Sequence, residues 1–297
     1  MAGNKYKSVF LIIIGQFIAG QLLSQDSLSH QQRDYKNYYK YGGLVYVSSM
    51  LALNQLWYAD YDRTSFQTFN DNNEWLKLDK AGHVYSTYTL SSLSYYFLKG
   101  EEEFDAKAAR ISSASAFLFL SSVELLDGFS ERWGFSWGDM ISNTLGIGLF
   151  YGQEALLHKQ VIRLKFSYQP TRYRELRPDL LGDNELQGII KDYKGQIYWA
   201  SVNLNAISKR IKPEWLNLAI GYGGKGMISA RKNRTDEING FRHEKQYFMG
   251  LDLDLTKIKT NKKWLKTTLE LVNYIKIPSP TVEFKQGGDA KFHWLYF

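Results

Sequence analysis

Two periodicities divide the chain. Up to about Lys159, residues 41–58, 80–98, 107–126 and 137–158 are long stretches with few charges and no strand-like punctuation. Such segments predict helices. Small residues recur inside them, at Gly42, Gly43, Ser48 and Ser49, at Ser91, Ser92 and Ser94, and from Ser112 to Ala116. Helices that are apolar nearly all round lie either in a large core or in lipid, and small residues permit close contact in both settings. The interior hydroxyls and modest lengths favour a protein-buried bundle.

Beyond Lys159 the period becomes two. Ile162, Leu164, Phe166 and Tyr168 alternate with Arg163, Lys165 and Ser167, and Tyr198, Ala200, Val202 and Leu204 alternate with Trp199, Ser201 and Asn203. The same holds for Leu216, Leu218, Ile220 and Tyr222, and for Met249, Leu251, Leu253 and Leu255. Each run predicts a strand with one apolar face. Residues 264–275 read as a further strand, and turns are expected at Gly223-Gly224 and over 233–239. About six strands in a meander are fewer than the eight of the smallest usual barrel, so both a partial sheet and a small barrel fit. Asp252 and Asp254 are expected to face solvent, or the lumen of a closed barrel. The chain ends Phe292-His293-Trp294-Leu295-Tyr296-Phe297, which suits the last strand of an outer-membrane barrel or of an aromatic-rich soluble sheet.

The N-terminus adds an address. Lys5 and Lys7 precede an apolar run over residues 9–18, and polar residues follow to Gln25 and Asp26. This predicts a signal peptide over residues 1–25; the run is short for a membrane-crossing helix. The chain has no cysteine, which excludes a disulfide framework, thiolate metal ligands and a lipobox. The net charge of +7 is dispersed and shows no basic cluster interleaved with aromatics, so no nucleic-acid partner is expected.

The candidate chemistry sits in the helical half. Asp79, Lys80 and His83 open the second helix, Glu124 and Asp127 close the third, and Ser136, Asp139 and Asn143 open the fourth. In an up-down bundle these three places share one end, and the spacings of three and four put each pair on one helix face. Buried acids cost several kcal/mol each, on the order estimated for uncompensated ions, unless partners meet them. A structural polar network, a metal or catalytic site, and a small-ligand or lipid-headgroup site all satisfy that demand. His83, Glu124, Asp127 and Asp139 offer imidazole and hard oxygen to a divalent metal. Alternatively His83 acts as general base, oriented by Asp79, with Lys80 stabilising an anion. Asp139 and Asn143 are candidate binding residues. Each residue also has a plainer role: Asp79 as a helix cap, and Ser136 with Asp139 as a capping box. Asp127 opposes the helix dipole, which points to a specific partner such as Lys80 or Arg132.

The pattern Asp79-Lys80-x-x-His83, Glu124-x-x-Asp127-Gly128 and Phe135-Ser136-x-x-Asp139-x-x-x-Asn143-x-x-Gly146 resembles the YfiM-like family of predicted periplasmic lipoproteins, a domain of unknown function. It is more distantly similar to VanZ-like membrane proteins. The likeness covers residues 79–152. The second half, with Asp192-Tyr193-Lys194-Gly195 and Gly221-Tyr222-Gly223, resembles the extension of longer, Bacteroidota-type family members. The resemblance implies an envelope location and a polar motif, with no reaction attached; the missing lipobox cysteine and the charged, serine-rich helices depart from the two families.

The expected protein is therefore α+β: a signal peptide, an antiparallel helical bundle over residues 26–159, and an antiparallel β region over 160–297. It is exported to the outer membrane or periplasm, with membrane lipid or an envelope assembly as partner. A structural or binding role and an envelope hydrolase acting on lipid or glycan, assisted by a divalent metal, are the two functional expectations.

Overall fold

The computed structural model describes residues 35–297 apart from 59, 60, 101, 103, 183, 184, 234, 235, 237, 238 and 286. The signal segment lies outside the described residues. Helices come first and an antiparallel sheet follows, so the fold is mixed α+β. The chain divides into two compact units, Met1–Asp71 with Ser86–His158, and Asn72–Tyr85 with Lys159–Phe297.

The first unit is helical. Helix α1 is Tyr35–Leu53, followed by a π turn over Asn54–Tyr58. Helix α2, Leu78–Lys99, begins in the second unit and contributes its part from Ser86 onward here. Helices α3, Ala106–Gly128, and α4, Trp137–Leu157, complete the unit. Asp105 caps α3 by accepting from the Lys107 and Ala108 amides, and Ser136 caps α4 by accepting from the Asp139 amide. Aromatic edges join the helices: Tyr46 meets Phe119 at 6.0 Å, and Tyr88 and Tyr95 flank Phe150. The segment before α2 pairs with the α3–α4 connection through Gln67 N to Gly128 O at 2.8 Å and Phe69 N to Phe135 O at 2.9 Å. Gly128 allows this approach, since a Cβ there would lie within 2.8 Å of two Phe66 ring carbons.

The second unit is a six-stranded antiparallel meander, β1 to β6 in sequence order. Its strands are Ile162–Tyr168, Gln196–Asn203, Leu216–Lys225, Glu244–Leu253, Ser279–Lys285 and Ala290–Tyr296. Three short helices, α5 (Tyr173–Leu176), α6 (Pro178–Leu181) and α7 (Glu185–Lys191), link β1 to β2, and a single turn, α8 (Leu204–Ile207), follows β2. Helix α9, Lys263–Val272, lies between β4 and β5. The sheet is open, so the barrel alternative is not what forms. Residues 274–276 run beside β1, with the Phe166 amide donating to Tyr274 O and the Lys276 amide donating to Phe166 O, both at 2.9 Å.

Two further expectations are corrected. The strand read over 264–275 is helix α9, because Leu265, Leu269 and Val272 repeat at helical spacing and Glu270 reaches Arg163 at 3.0 Å. Gly223 and Gly224 lie inside β3, where the sheet continues to Lys225 before the positive φ of Gly226 turns the chain.

The sheet buries its polar face. Trp199, Phe248 and Tyr296 stack with centroids 5.6 and 4.9 Å apart at one end of the inner face. Trp199 fits because Gly221 lies opposite it, where a Cβ would come within 3.0 Å of the indole. The rest of that face carries Lys165, Ser201, Asn203, Asn217, Asp252 and Asp254, all buried. Asp252 and Asp254 thus face neither solvent nor an open lumen. The outer face carries Ile220, Tyr247, Met249, Leu251 and Phe284, all exposed, together with Phe292 and Trp294 on the last strand.

Candidate functional site

The motif residues fall into the two units. In the sheet unit, Asp79, Lys80 and His83 stand at the start of α2. Just before them Trp75, Leu76 and Lys77 all have positive φ, between 46° and 66°. Left-handed backbone costs about 1–2 kcal/mol per ordinary residue, and such strain persists only where the surroundings fix it. Here Trp75 N donates to Ala230 O at 2.8 Å, Tyr222 OH donates to Leu76 O at 2.5 Å, and Trp75 packs on Tyr193. The first turns of α2 then lie flush on β2, since a Cβ on Gly82 would meet the Tyr198 hydroxyl at 2.9 Å.

Asp79 is the hub of this end. Tyr193 OH donates to its Oδ1 at 2.9 Å and Lys80 Nζ donates to its Oδ2 at 3.1 Å. His83 Nε2 is 3.9 Å from Oδ1, one helical turn on. Burial opposes ionisation of Asp79, but the His83 and Lys80 charges and the Tyr193 bond outweigh it and hold the carboxyl below its ordinary range. At 3.9 Å the Asp79–His83 contact is longer than a hydrogen bond. Asp79 and His83 are thus within reach of charge attraction, while Tyr193 takes the directional bond on Asp79.

In the helical unit, Glu124 and Asn143 are fully buried and Asp139 nearly so. Glu124 Oε2 accepts from the Ser136 amide at 3.3 Å. The Ser136 hydroxyl donates to Asp71 Oδ1 at 2.7 Å and accepts from the Asp139 amide at 3.2 Å. Asn143 Oδ1 accepts from the Thr87 hydroxyl at 2.9 Å, which ties α2 to α4. Tyr58 OH donates to Asp127 Oδ1 at 2.6 Å. Tyr58 gives Asp127 a neutral donor, and Arg132 packs over Tyr61 and Trp133. Glu124 and Asp127 at the end of α3, and Ser136 at the start of α4, are thus drawn together with Asp71 and Tyr58, which the motif spacing did not single out.

Residues 67–153 match the family model described as Predicted periplasmic lipoprotein (DUF2279). The match takes in every motif residue from Asp79 to Asn143 and less than a third of the chain. It agrees with the exported, periplasmic or outer-membrane location read from the sequence, and it brings no reaction with it. No curated protein and no solved structure matches this chain.

A third cluster, inside the sheet, was missed. Asp252 Oδ2 accepts from Lys165 Nζ at 2.8 Å and from Ser201 Oγ at 2.6 Å. Asn217 donates to Ser201 at 2.8 Å, and Asn203 donates to Asn217 at 2.8 Å. Lys165 also donates to Leu253 O and Asn273 Oδ1, and Lys276 stands 3.8 Å from Asp252. Arg163 lies 3.9 Å from Asp254 and 3.0 Å from Glu270. Three cations thus face three carboxylates, a charge-neutral interior that meets the desolvation demand with partners. The signal for it was present in the polar positions of the alternating strands, which were read as the wet face.

Proposed function

We propose that this protein is a non-catalytic component of the outer membrane, with a structural or binding role, whose sheet rests its apolar outer face on lipid. One observation carries the reading: beyond Phe166 and Tyr198, which Gly82 and Tyr85 of α2 cover, the sheet turns its apolar face outward and its polar face inward. Lys165 and Asp252 are fully buried while Met249 and Leu251, their neighbours in pattern, are more than 40% exposed. In water the hydrophobic effect drives the opposite arrangement. Polar-in, apolar-out alternation with aromatic residues at the rim is the pattern of strands bordered by lipid. The terminal Phe292, Trp294 and Leu295 extend that apolar surface along the last strand.

The test is fractionation of the full chain exported in a Gram-negative host. The expected result is sedimentation with outer membranes on a density gradient and resistance to carbonate extraction. Recovery as a freely soluble periplasmic monomer overturns the reading. Replacing Ile220 and Met249 together by Asp should release the protein from the membrane pellet while its circular dichroism is kept.

A second reading, an envelope hydrolase acting on lipid or glycan with a divalent metal as helper, is favoured by the ionised Asp79 beside His83. Its test compares hydrolysis of envelope phospholipid and peptidoglycan by the purified protein and by His83→Ala. Loss of an activity at unchanged melting temperature supports a site; loss of stability alone assigns His83 to structure.

A further inference from the structure

The helical unit buries Leu93, Phe97, Leu120 and Phe150, yet it also turns a set of apolar side chains outward, an observation independent of the sheet. On α1, Leu44, Val47 and Leu51 follow one another at spacings of three and four and are 53–66% exposed. On α3, Leu118 and Leu125 are exposed, seven residues apart. On α4, Ile141 and Leu145 share a face and Leu156 continues the exposed surface. Meanwhile Thr87, Ser91, Ser112 and Asn143 are completely buried. A bundle formed in water places leucines inside and serines outside. Small and hydroxylic residues between helices, with leucines outward, are what packing in lipid selects, because the surroundings are already apolar.

We infer that the outward faces of α1, α3 and α4 are covered by phospholipid acyl chains. Four further features fit that occupant. Helices α1 and α4 have 19 and 21 residues, and among the described residues α3, with 23 residues and about 35 Å at 1.5 Å per residue, is the helix long and apolar enough to cross a hydrocarbon layer of about 30 Å. Their middles, residues 41–53, 111–123 and 140–153, contain no Asp, Glu, Lys or Arg; on α3 and α4 the charges stand near the ends, at Lys107, Arg110, Glu124, Asp127, Asp139 and Glu154. Thr144, Ser122 and Ser142 each donate to a carbonyl of their own helix, Met140 O at 2.9 Å, Leu118 O at 2.8 Å and Gly138 O at 2.8 Å, which keeps these hydroxyls bonded in a medium without water. At the α3–α4 connection Trp133 and Trp137 are exposed, the position that amphipathic rings take at a membrane surface. The expectation of a protein-buried bundle rested on the same serines; their burial beneath exposed leucines reverses its meaning.

The absence of cysteine makes the test direct. Single-cysteine variants Val47→Cys, Leu118→Cys and Leu145→Cys carry an environment-sensitive fluorophore in the full chain, reconstituted into phosphatidylcholine–phosphatidylglycerol vesicles. Doxyl groups midway along the acyl chains should quench these three labels several-fold more than aqueous iodide does, and Lys107→Cys should show the reverse. Wild-type protein in vesicles with photoactivatable acyl chains supplies a measurement free of substitution, with cross-links expected in 44–51, 118–125 and 141–145. Quenching by iodide overturns the inference. So does shielding from both quenchers without cross-links, which would assign these faces to a second copy or another protein. A label at Met249→Cys reports on the sheet face separately, so failure of one membrane surface is distinguishable from failure of the other.

Discussion

Lys165 Nζ lies 2.8 Å from Asp252 Oδ2 inside the sheet, and both side chains are wholly buried. Removing one member of such a pair strands the other in a low-dielectric interior, at about 3–5 kcal/mol. Asp252→Ala is therefore expected to lower the unfolding free energy by that order, since it also removes the carboxylate that stands near Lys276 and accepts from Ser201. Lys165→Met combined with Asp252→Leu should cost less than the two single changes added. Chemical denaturation of the four proteins measures the coupling; strict additivity would show that the pair contributes nothing as a pair.

Much of this fold is legible along the chain, and one aspect is not. The four long helices show because charges gather near their ends and strand punctuation is missing between them. The strands show through period-two alternation, clearest where Met249, Leu251 and Leu253 flank Gly250 and Asp252. Alternation identifies an apolar face but not which face is buried, because that depends on the surroundings and not on the period. Asp252 was placed on the wet side for that reason, although Lys165, Ser201 and Asn217 were available to satisfy it. Helix α9 was misread because Trp264, Leu265, Leu269 and Leu271 suit either period over so short a run. The left-handed Trp75–Leu76–Lys77 turn leaves no composition signal, since glycine is the usual mark of that conformation.

That turn supplies a second prediction. Lys77 is exposed with φ 66°. Lys77→Gly relieves the Cβ clash and loses little packing, but it adds backbone freedom to the unfolded chain. The relief, about 1–2 kcal/mol, exceeds the entropic loss of about 0.4–1 kcal/mol, so the variant should be more stable by up to about 1 kcal/mol. Lys77→Val should move the other way, because a β-branched side chain tolerates positive φ least. Melting temperatures in the expected order Gly, Lys, Val check the assignment.

Ser136 joins two motif residues to Asp71, taking a bond from the Asp139 amide, giving one to Asp71 and lending its own amide to Glu124. Ser136→Ala removes the cap and leaves Asp71 without this donor, for a loss of about 1–2 kcal/mol. Ser136→Thr keeps the hydroxyl and should recover most of it. A Thr variant as destabilised as the Ala variant would count against the hydroxyl as the operative group.

Lys194 sets a pH dependence. It is buried, it lies 4.3 Å over the Tyr173 ring, and among the described residues its ammonium has no hydrogen-bond partner. Burial, aided by Arg177 and opposed by Asp192, pulls its pKa from 10.5 down to about 8. Below pH 8 the lysine is protonated folded and unfolded, and the whole burial penalty stands. Between pH 8 and 10.5 the unfolded chain holds a proton that the folded chain has lost, so stability rises with pH across that window. Each unit of the interval is worth about 1.4 kcal/mol at most. Melting curves from pH 7.5 to 10.5, values chosen to bracket roughly that window, should show a steeper rise for the native chain than for Lys194→Met, which cannot titrate. The comparison reads the slopes alone, because the Met variant also leaves Asp192 with one less cation nearby. Parallel profiles for the two proteins would mean that Lys194 keeps its ordinary affinity for the proton in the folded state, with the ammonium solvated and not held beneath Tyr173.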